Sequence, residues 1–258
     1  MRDILDMIRM GFLVIAVALA SLPSSCQQEA FDTEKYESYV LYDCHLECLD
    51  WETEANASVV YANRTYNVTF CKVKGEPEDQ FIYANIADLT PFSPSGWFVL
   101  QNPENYVDIW SEWTVKEIQI YTEEEVEAES SGAYTQNIIA TTANQVCAQE
   151  LSRMNRVESA DPSTETPSVR LSELRIRVIF QESEVIVWNS NVEYRRDSET
   201  GEIMVYIATD ATQWEGRYAP NGELLPGIYF NYEMTLLTDS PYLEEFLLEA
   251  RETYLETK

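Results

Sequence analysis

The segment Leu174-Arg175-Ile176-Arg177-Val178-Ile179-Phe180 decides the fold class. Leu174, Ile176, Val178 and Phe180 alternate with Arg175 and Arg177, the period of two that sorts apolar and polar side chains onto opposite faces of a strand. After the polar Gln181-Glu182-Ser183, the run Glu184-Val185-Ile186-Val187-Trp188 is apolar on both faces, as an interior strand requires. Tyr194 to Gly201 supplies turn residues, and Ile203, Val205 and Ile207 resume the alternation. Ile228, Phe230, Tyr232, Met234 and Leu236 mark another strand. With no helical pattern between these strands, they read as an antiparallel meander rather than as βαβ units. The chain closes on a helix: Ser240 can cap, Pro241 suits the first helical position, and Leu243, Phe246, Leu247, Ala250 and Tyr254 share one face.

The preceding sequence has the same style. Ser58 to Tyr61 and Tyr66 to Val73 predict a hairpin around Asn63, and Phe81 to Ile86, Trp97 to Leu100 and Lys116 to Tyr121 are further strands. They are separated by breaks such as Pro91-Phe92-Ser93-Pro94-Ser95-Gly96. Between Gln136 and Asn155, the residues Ile139, Ala143, Val146, Cys147, Leu151 and Met154 recur at helical spacing and predict a second amphipathic helix. The expected fold is therefore mainly β, an antiparallel meander or sandwich-like sheets with two amphipathic helices, and α+β is the alternative. Residues 158–169, rich in Pro, Ser, Thr and Glu, read as a linker or a long loop between a β-rich region at 36–157 and the meander and helix at 170–258.

Composition excludes several functions. The 45 Asp and Glu residues against 17 Lys and Arg give a formal charge of −28. Such a chain offers no basic stripe to displace counterions from phosphate, which excludes nucleic acid as a partner, and anionic lipid headgroups would repel it. Hydrophobic residues at 45% place it among globular chains rather than disordered acidic ones. The acidic excess is concentrated before Ser168. Only five basic residues are Lys, a balance suited to a saline exterior that screens self-repulsion.

The N-terminus reads as an export signal. Residues 10–22 form an uncharged apolar run after Arg2 and Arg9, with the length of a signal-peptide core and short of the roughly 20 residues of a membrane span. Ala18-Leu19-Ala20 fits the small-x-small pattern of ordinary signal peptidase. Leu22-Pro23-Ser24-Ser25-Cys26 resembles the lipobox of bacterial lipoproteins, a resemblance confined to the first 26 residues. It implies removal of residues 1–25, acylation of Cys26 as the first mature residue and a membrane held through lipid. Residues 26–35 are polar and aperiodic, as a tether should be. Acylation of Cys26 would leave Cys44, Cys48, Cys71 and Cys147, an even number available for disulfides in an oxidising compartment. Three Asn-x-Ser/Thr sequons, at Asn56, Asn63 and Asn67, support a rival reading as a secreted eukaryotic glycoprotein.

Few residues suggest catalysis. His45 is the sole histidine, so a Ser-His-Asp or Cys-His mechanism would have to use it. Cys44, His45, Cys48 and Cys71 are ligand types zinc accepts, but an exported chain would oxidise such thiols, so disulfides are expected and no metal. The abundant carboxylates permit a glycan hydrolase with two acids across a sugar, without singling out a pair. The acidic runs Glu123 to Glu129 and Asp197, Glu199 and Glu202 lack the ligand order of a calcium loop and read as a solvated loop and a hairpin turn. No glycine-rich phosphate loop appears, so no nucleotide cofactor is expected. Aromatics carry the functional lead: Trp97 and Trp188 lie in apolar strands and read as core, whereas Trp110, Trp113 and Trp214 have polar neighbours and are candidates for an exposed binding surface. The sequence thus predicts an exported, lipid-anchored protein of the cell envelope, outer membrane or cell surface, or else a secreted one. It reads as a binding or assembly module for a glycan or protein partner rather than as an enzyme.

Overall fold

The computed structural model describes residues 33–36, 38–39, 41–43, 45–61, 64–90, 93–125, 134–155, 168–218 and 224–258. The protein is mainly β, its sheets antiparallel, as the alternation predicts. It divides into two compact units, one of residues 1–107 with 213–229 and one of residues 108–212 with 230–258.

The first unit contains a short strand β1 (Leu46–Cys48) and a four-stranded sheet in sequence order: β2 (Trp51–Tyr61), β3 (Arg64–Val73), β4 (Phe81–Thr90) and β5 (Ser93–Gln101). The expected hairpin around Asn63 is present, pairing Tyr61 with Arg64, while Asn63 itself lies outside the described residues. One face carries Val68, Phe70, Ile82, Ala84 and Leu100, and is covered by Tyr36 and Tyr39 from the segment before β1. Burying two tyrosines edge to face, with ring centroids 5.3 Å apart, supplies large apolar area while each phenol keeps a polar partner.

Glu78, in the β3 to β4 connection, provides those partners. Tyr36 donates its hydroxyl proton to the Glu78 carboxylate, Tyr39 donates to the Glu78 carbonyl at 2.9 Å, and Lys72 and Lys35 reach the carboxylate at 2.6 and 3.1 Å. Burial alone would raise its pKa, but the donated bonds from Lys72, Tyr36 and Lys35 outweigh it and bring the carboxyl down to about 2. A depressed carboxyl stabilises the fold above its ordinary value of 4.5, and this contribution is lost as pH falls toward 2. Solvent screening of this half-buried group reduces the effect to about 1 kcal/mol. Glu78→Gln should therefore be less stable than the native chain at pH 7, with the gap in denaturant midpoint closing between pH 4.5 and 2. A gap independent of pH would contradict the assignment.

The larger sheet comprises β6 (Val115–Glu125), β7 (Tyr134–Thr142), β8 (Ser168–Phe180), β9 (Ile186–Asp197), β10 (Ile203–Tyr218) and β11 (Leu224–Leu236), in the order β11-β10-β9-β8-β6-β7, and the second unit contains all of it except residues 213–229 of β10, β11 and their connection. Its α-helices are α1 (Ile109–Glu112), α2 (Gln145–Met154) and α3 (Pro241–Glu256). The run predicted as an interior strand is one, since β9 pairs with β8 on one side and β10 on the other. Ile118, Ile120, Leu174, Ile176, Val178, Phe180, Trp188 and Val192 are buried, as are Leu151, Leu243, Leu247 and Ala250 of the helices. Tyr194 of β9 donates its hydroxyl to the Leu247 carbonyl at 2.8 Å, which fixes α3 against the sheet. Ser240 makes no side-chain cap; Glu150 of α2 takes that role by accepting the Leu243 N–H at 2.7 Å. At the β9 to β10 hairpin, Asp197 accepts the N–H groups of Glu199 and Thr200, both at 2.7 Å, and Gly201 adopts φ +77°, so this acidic run is the expected turn.

One expectation changes. The helix predicted from Gln136 begins only at Gln145: residues Tyr134–Thr142 form β7, because Ile138, Ile139, Thr141 and Thr142 are β-branched and Asn144 caps the helix by accepting the Val146 N–H at 2.9 Å. The two units divide between Val107 and Asp108, and the pairing of β6 with β8 brings residues 108–155 together with the C-terminal strands. Residues 158–167 lie outside the described residues and connect two elements of one unit.

Candidate functional site: an aromatic bar across the first sheet

The second face of the four-stranded sheet follows from its register. Trp51 and Glu54 of β2, Cys71 of β3, Tyr83 of β4 and Trp97 of β5 belong to it, because Glu54 pairs with Cys71, Cys71 with Tyr83, and Asn85 with Trp97. The bulge between Glu52 and Glu54, where Thr53 takes φ +50°, tilts the start of β2. Trp51 lies in an edge strand, yet its ring centroid is 5.4 Å from that of Tyr83 and 5.3 Å from that of Trp97. Its indole therefore crosses β3 at the level of Cys71, which is completely buried. Tyr83 and Trp97 stack with centroids 4.7 Å apart and planes 23° from parallel. The three rings form a continuous bar from one edge strand to the other, and the Trp51 indole N–H is fixed by Glu54 at 3.1 Å.

Exposure gives the bar its chemical interest. Tyr83 is 7% exposed and anchors it, while Trp51 and Trp97 each expose 38% of their surface. Beside the bar the same face turns polar: Asn56 accepts a hydrogen bond from Thr69 at 2.7 Å, and Asn67 and Asn85 stand on neighbouring strands. Flat apolar rings next to amides and hydroxyls can stack on the C–H face of a sugar ring while bonding its hydroxyls. Burial, with the Glu54 and Cys48 charges adding to it, pushes the Cys71 thiol to about 12; burial likewise pushes Cys48 to about 11. Both thiols are thus protonated and unreactive at neutral pH.

The residues singled out in the sequence distribute differently. Trp110 and Trp113 are half-buried rather than displayed: Trp110 packs edge to face on Phe180 and Trp188 at 5.8 and 5.3 Å, and Trp113 on Phe180 at 5.4 Å. Asp108 caps α1 by accepting the Trp110 N–H at 3.2 Å, which turns these indoles toward the sheet despite their polar neighbours. Trp188 is core as predicted, whereas Trp97 is exposed. Trp214 falls within β10, and its side chain lies outside the described set. Cys48, Cys71 and Cys147 are free and buried, with no bridge among them, and Cys26 and Cys44 lie outside the described residues. His45 is buried and its backbone N–H donates to Asp43 at 2.8 Å. No group of three His, Cys, Asp or Glu side chains suited to a metal occurs among the described residues. Among them, too, no helix is long and apolar enough to cross a membrane. Asn56 and Asn67 are exposed on the face of the bar, so glycan attachment there would occupy the same surface.

Compared with family models, curated proteins and solved structures, the chain matches none.

Proposed function

We propose that this protein is an exported, lipid-anchored component of the cell envelope that binds a neutral glycan across the second face of its first sheet, without catalysing a reaction on it. The observation that carries the binding reading is the Trp51, Tyr83 and Trp97 bar, which displays two indoles beside a row of amides and hydroxyls. A rigid sheet suits such recognition because the rings are ordered before the ligand arrives, so little side-chain entropy is lost on binding. The local charge selects the ligand: Glu54 holds the Trp51 indole at the bar, and its negative charge disfavours an anion. The anchor rests on the Leu22 to Cys26 lipobox and on the polar tether that follows.

An array of neutral plant, fungal and bacterial glycans probed with the mature chain tests the binding. Trp97→Ala should weaken the best ligand by about tenfold, the worth of one exposed stacking contact. Absence of binding by the native chain, or native affinity in Trp97→Ala, would overturn the proposal. Mass spectrometry of the mature N-terminus tests the anchor; an unacylated start at Ser21 would exclude it.

A further inference from the structure

The face that carries the aromatic bar continues along β5. Trp97, Val99 and Gln101 alternate onto it, because Asn85 pairs with Trp97, Tyr83 with Val99 and Phe81 with Gln101 without a break in register. Beyond the bar this face is covered: Phe81 and Val99 are completely buried and Gln101 is 2% exposed. Part of the cover is the segment that follows β5. The buried Gln101 side chain accepts the Val107 N–H at 3.1 Å, so the chain folds back over the same face and carries Tyr106 with it.

Tyr106 packs against Tyr42 with ring centroids 4.1 Å apart and planes tilted by 41°. Both rings stay at the surface, 45% and 36% exposed, whereas Tyr36, Tyr39 and Tyr83 of the same unit are buried. Fixed backbone supports each of them. Asn102 and Asn105 donate their side-chain amides to the Asp79 carbonyl at 2.8 and 3.1 Å, and the Asn102 side-chain oxygen accepts the Glu104 N–H at 3.0 Å, which pins the segment before Tyr106. On the other side, Asp43 accepts the His45 N–H at 2.8 Å and turns the chain between Tyr42 and β1. Two aromatic rings held in place yet left in water supply a preordered stacking surface, and the acidic neighbours Asp43 and Glu104 disfavour an anion there, as Glu54 does at the bar. Trp97 and Gln101 are four residues apart, about 13 Å along the strand, so a short saccharide on the bar falls short of the tyrosines and a longer one reaches them.

We propose that Tyr42 and Tyr106 form a second stacking subsite for the ligand of the bar, so that the protein binds an extended neutral polysaccharide chain rather than a short saccharide. The subsite rests on the glycan reading of the bar and adds to it the form of the ligand, a chain that runs along β5. Two stacking points joined by one ligand act together, because the second is engaged at the high effective concentration set by the first.

Calorimetric titration of the full mature chain with cello-, chito-, manno- and malto-oligosaccharides, each from disaccharide to octasaccharide, tests the proposal. At least one series should bind, with affinity rising about tenfold or more from the shortest member that binds to the longest. Tyr106→Ala should abolish most of that rise and leave the shortest binder unchanged, while Tyr106→Phe, which keeps the ring, should preserve the rise within about threefold. Tyr42→Ala provides a second variant should Tyr106→Ala fold poorly, and the same loss is expected of it. Trp97→Ala, by contrast, should weaken every length. Affinity independent of length, a full rise in Tyr106→Ala or in Tyr42→Ala, or equal weakening of all lengths by Tyr106→Ala would overturn the subsite and leave the reading of the bar intact. Binding of no series by the native chain would overturn both.

Discussion

Trp188→Ala should lower the stability of the second unit by about 3–5 kcal/mol, a large part of the 5–15 kcal/mol that holds an ordinary domain together. Trp188 is completely buried in the middle strand β9, pairs with Val178, and takes the Trp110 ring edge to face. Alanine would leave a cavity between strands whose registers are fixed on both sides, so the surroundings can collapse only partly. A guanidinium titration followed by far-UV circular dichroism measures the effect. The midpoint should fall while the slope is preserved, and Trp188→Phe should lose markedly less. A loss under about 1 kcal/mol for the alanine variant would mean that the strand order around β9 is misassigned.

Trp51→Ala should uncover a thiol. Cys71 is completely buried on the face that the Trp51 indole crosses, and its thiol, pushed by burial to about 12, meets a second barrier to alkylation. Removing a half-exposed tryptophan that bridges strands weakens local protection by about 2–3 kcal/mol, so labelling of Cys71 should accelerate by about 30- to 100-fold. Peptide mass spectrometry after a short iodoacetamide pulse at pH 8 reads each cysteine separately. Cys147, in the second unit, serves as the internal control. Faster labelling of Cys71 with Cys147 unchanged marks the loss of a roof. Equal acceleration at both would show general unfolding and refute the bar as a local cover.

The class of fold was legible wherever one face of a strand is polar. Leu174 to Phe180 declares its register because Arg175 and Arg177 cannot share the side of Ile176. The same logic fails at Trp97-Phe98-Val99-Leu100, where both faces are apolar: Leu100 is buried under Tyr36 and Tyr39, while Trp97 remains exposed on the other side. Which face is covered depends on a segment more than 50 residues earlier, and no local pattern encodes that. The pairing of Ile118 with Val178 is equally distant, so the Pro- and Ser-rich stretch between them reads from sequence equally well as a linker or as a long loop within one unit. Trp110 and Trp113 are half-buried among polar neighbours, since Asp108 and Ser111 serve a helix cap and do not report on the indoles. The residues of the aromatic bar were all visible as residue types. Their convergence required the bulge at Thr53, which no alternation of hydrophobicity signals.

The crossing of β3 by Trp51 has a mechanical meaning as well. Strands β2 and β5 are the two edges of their sheet and share no ladder hydrogen bonds. An edge strand ordinarily frays alone and offers its backbone to other chains. Here the indole clasps one border to the other over the interior strands, so peeling β2 away must also separate Trp51 from Trp97 on β5. The two hairpins are thereby made to open together, and the amides at both borders should exchange with solvent as a single cooperative event.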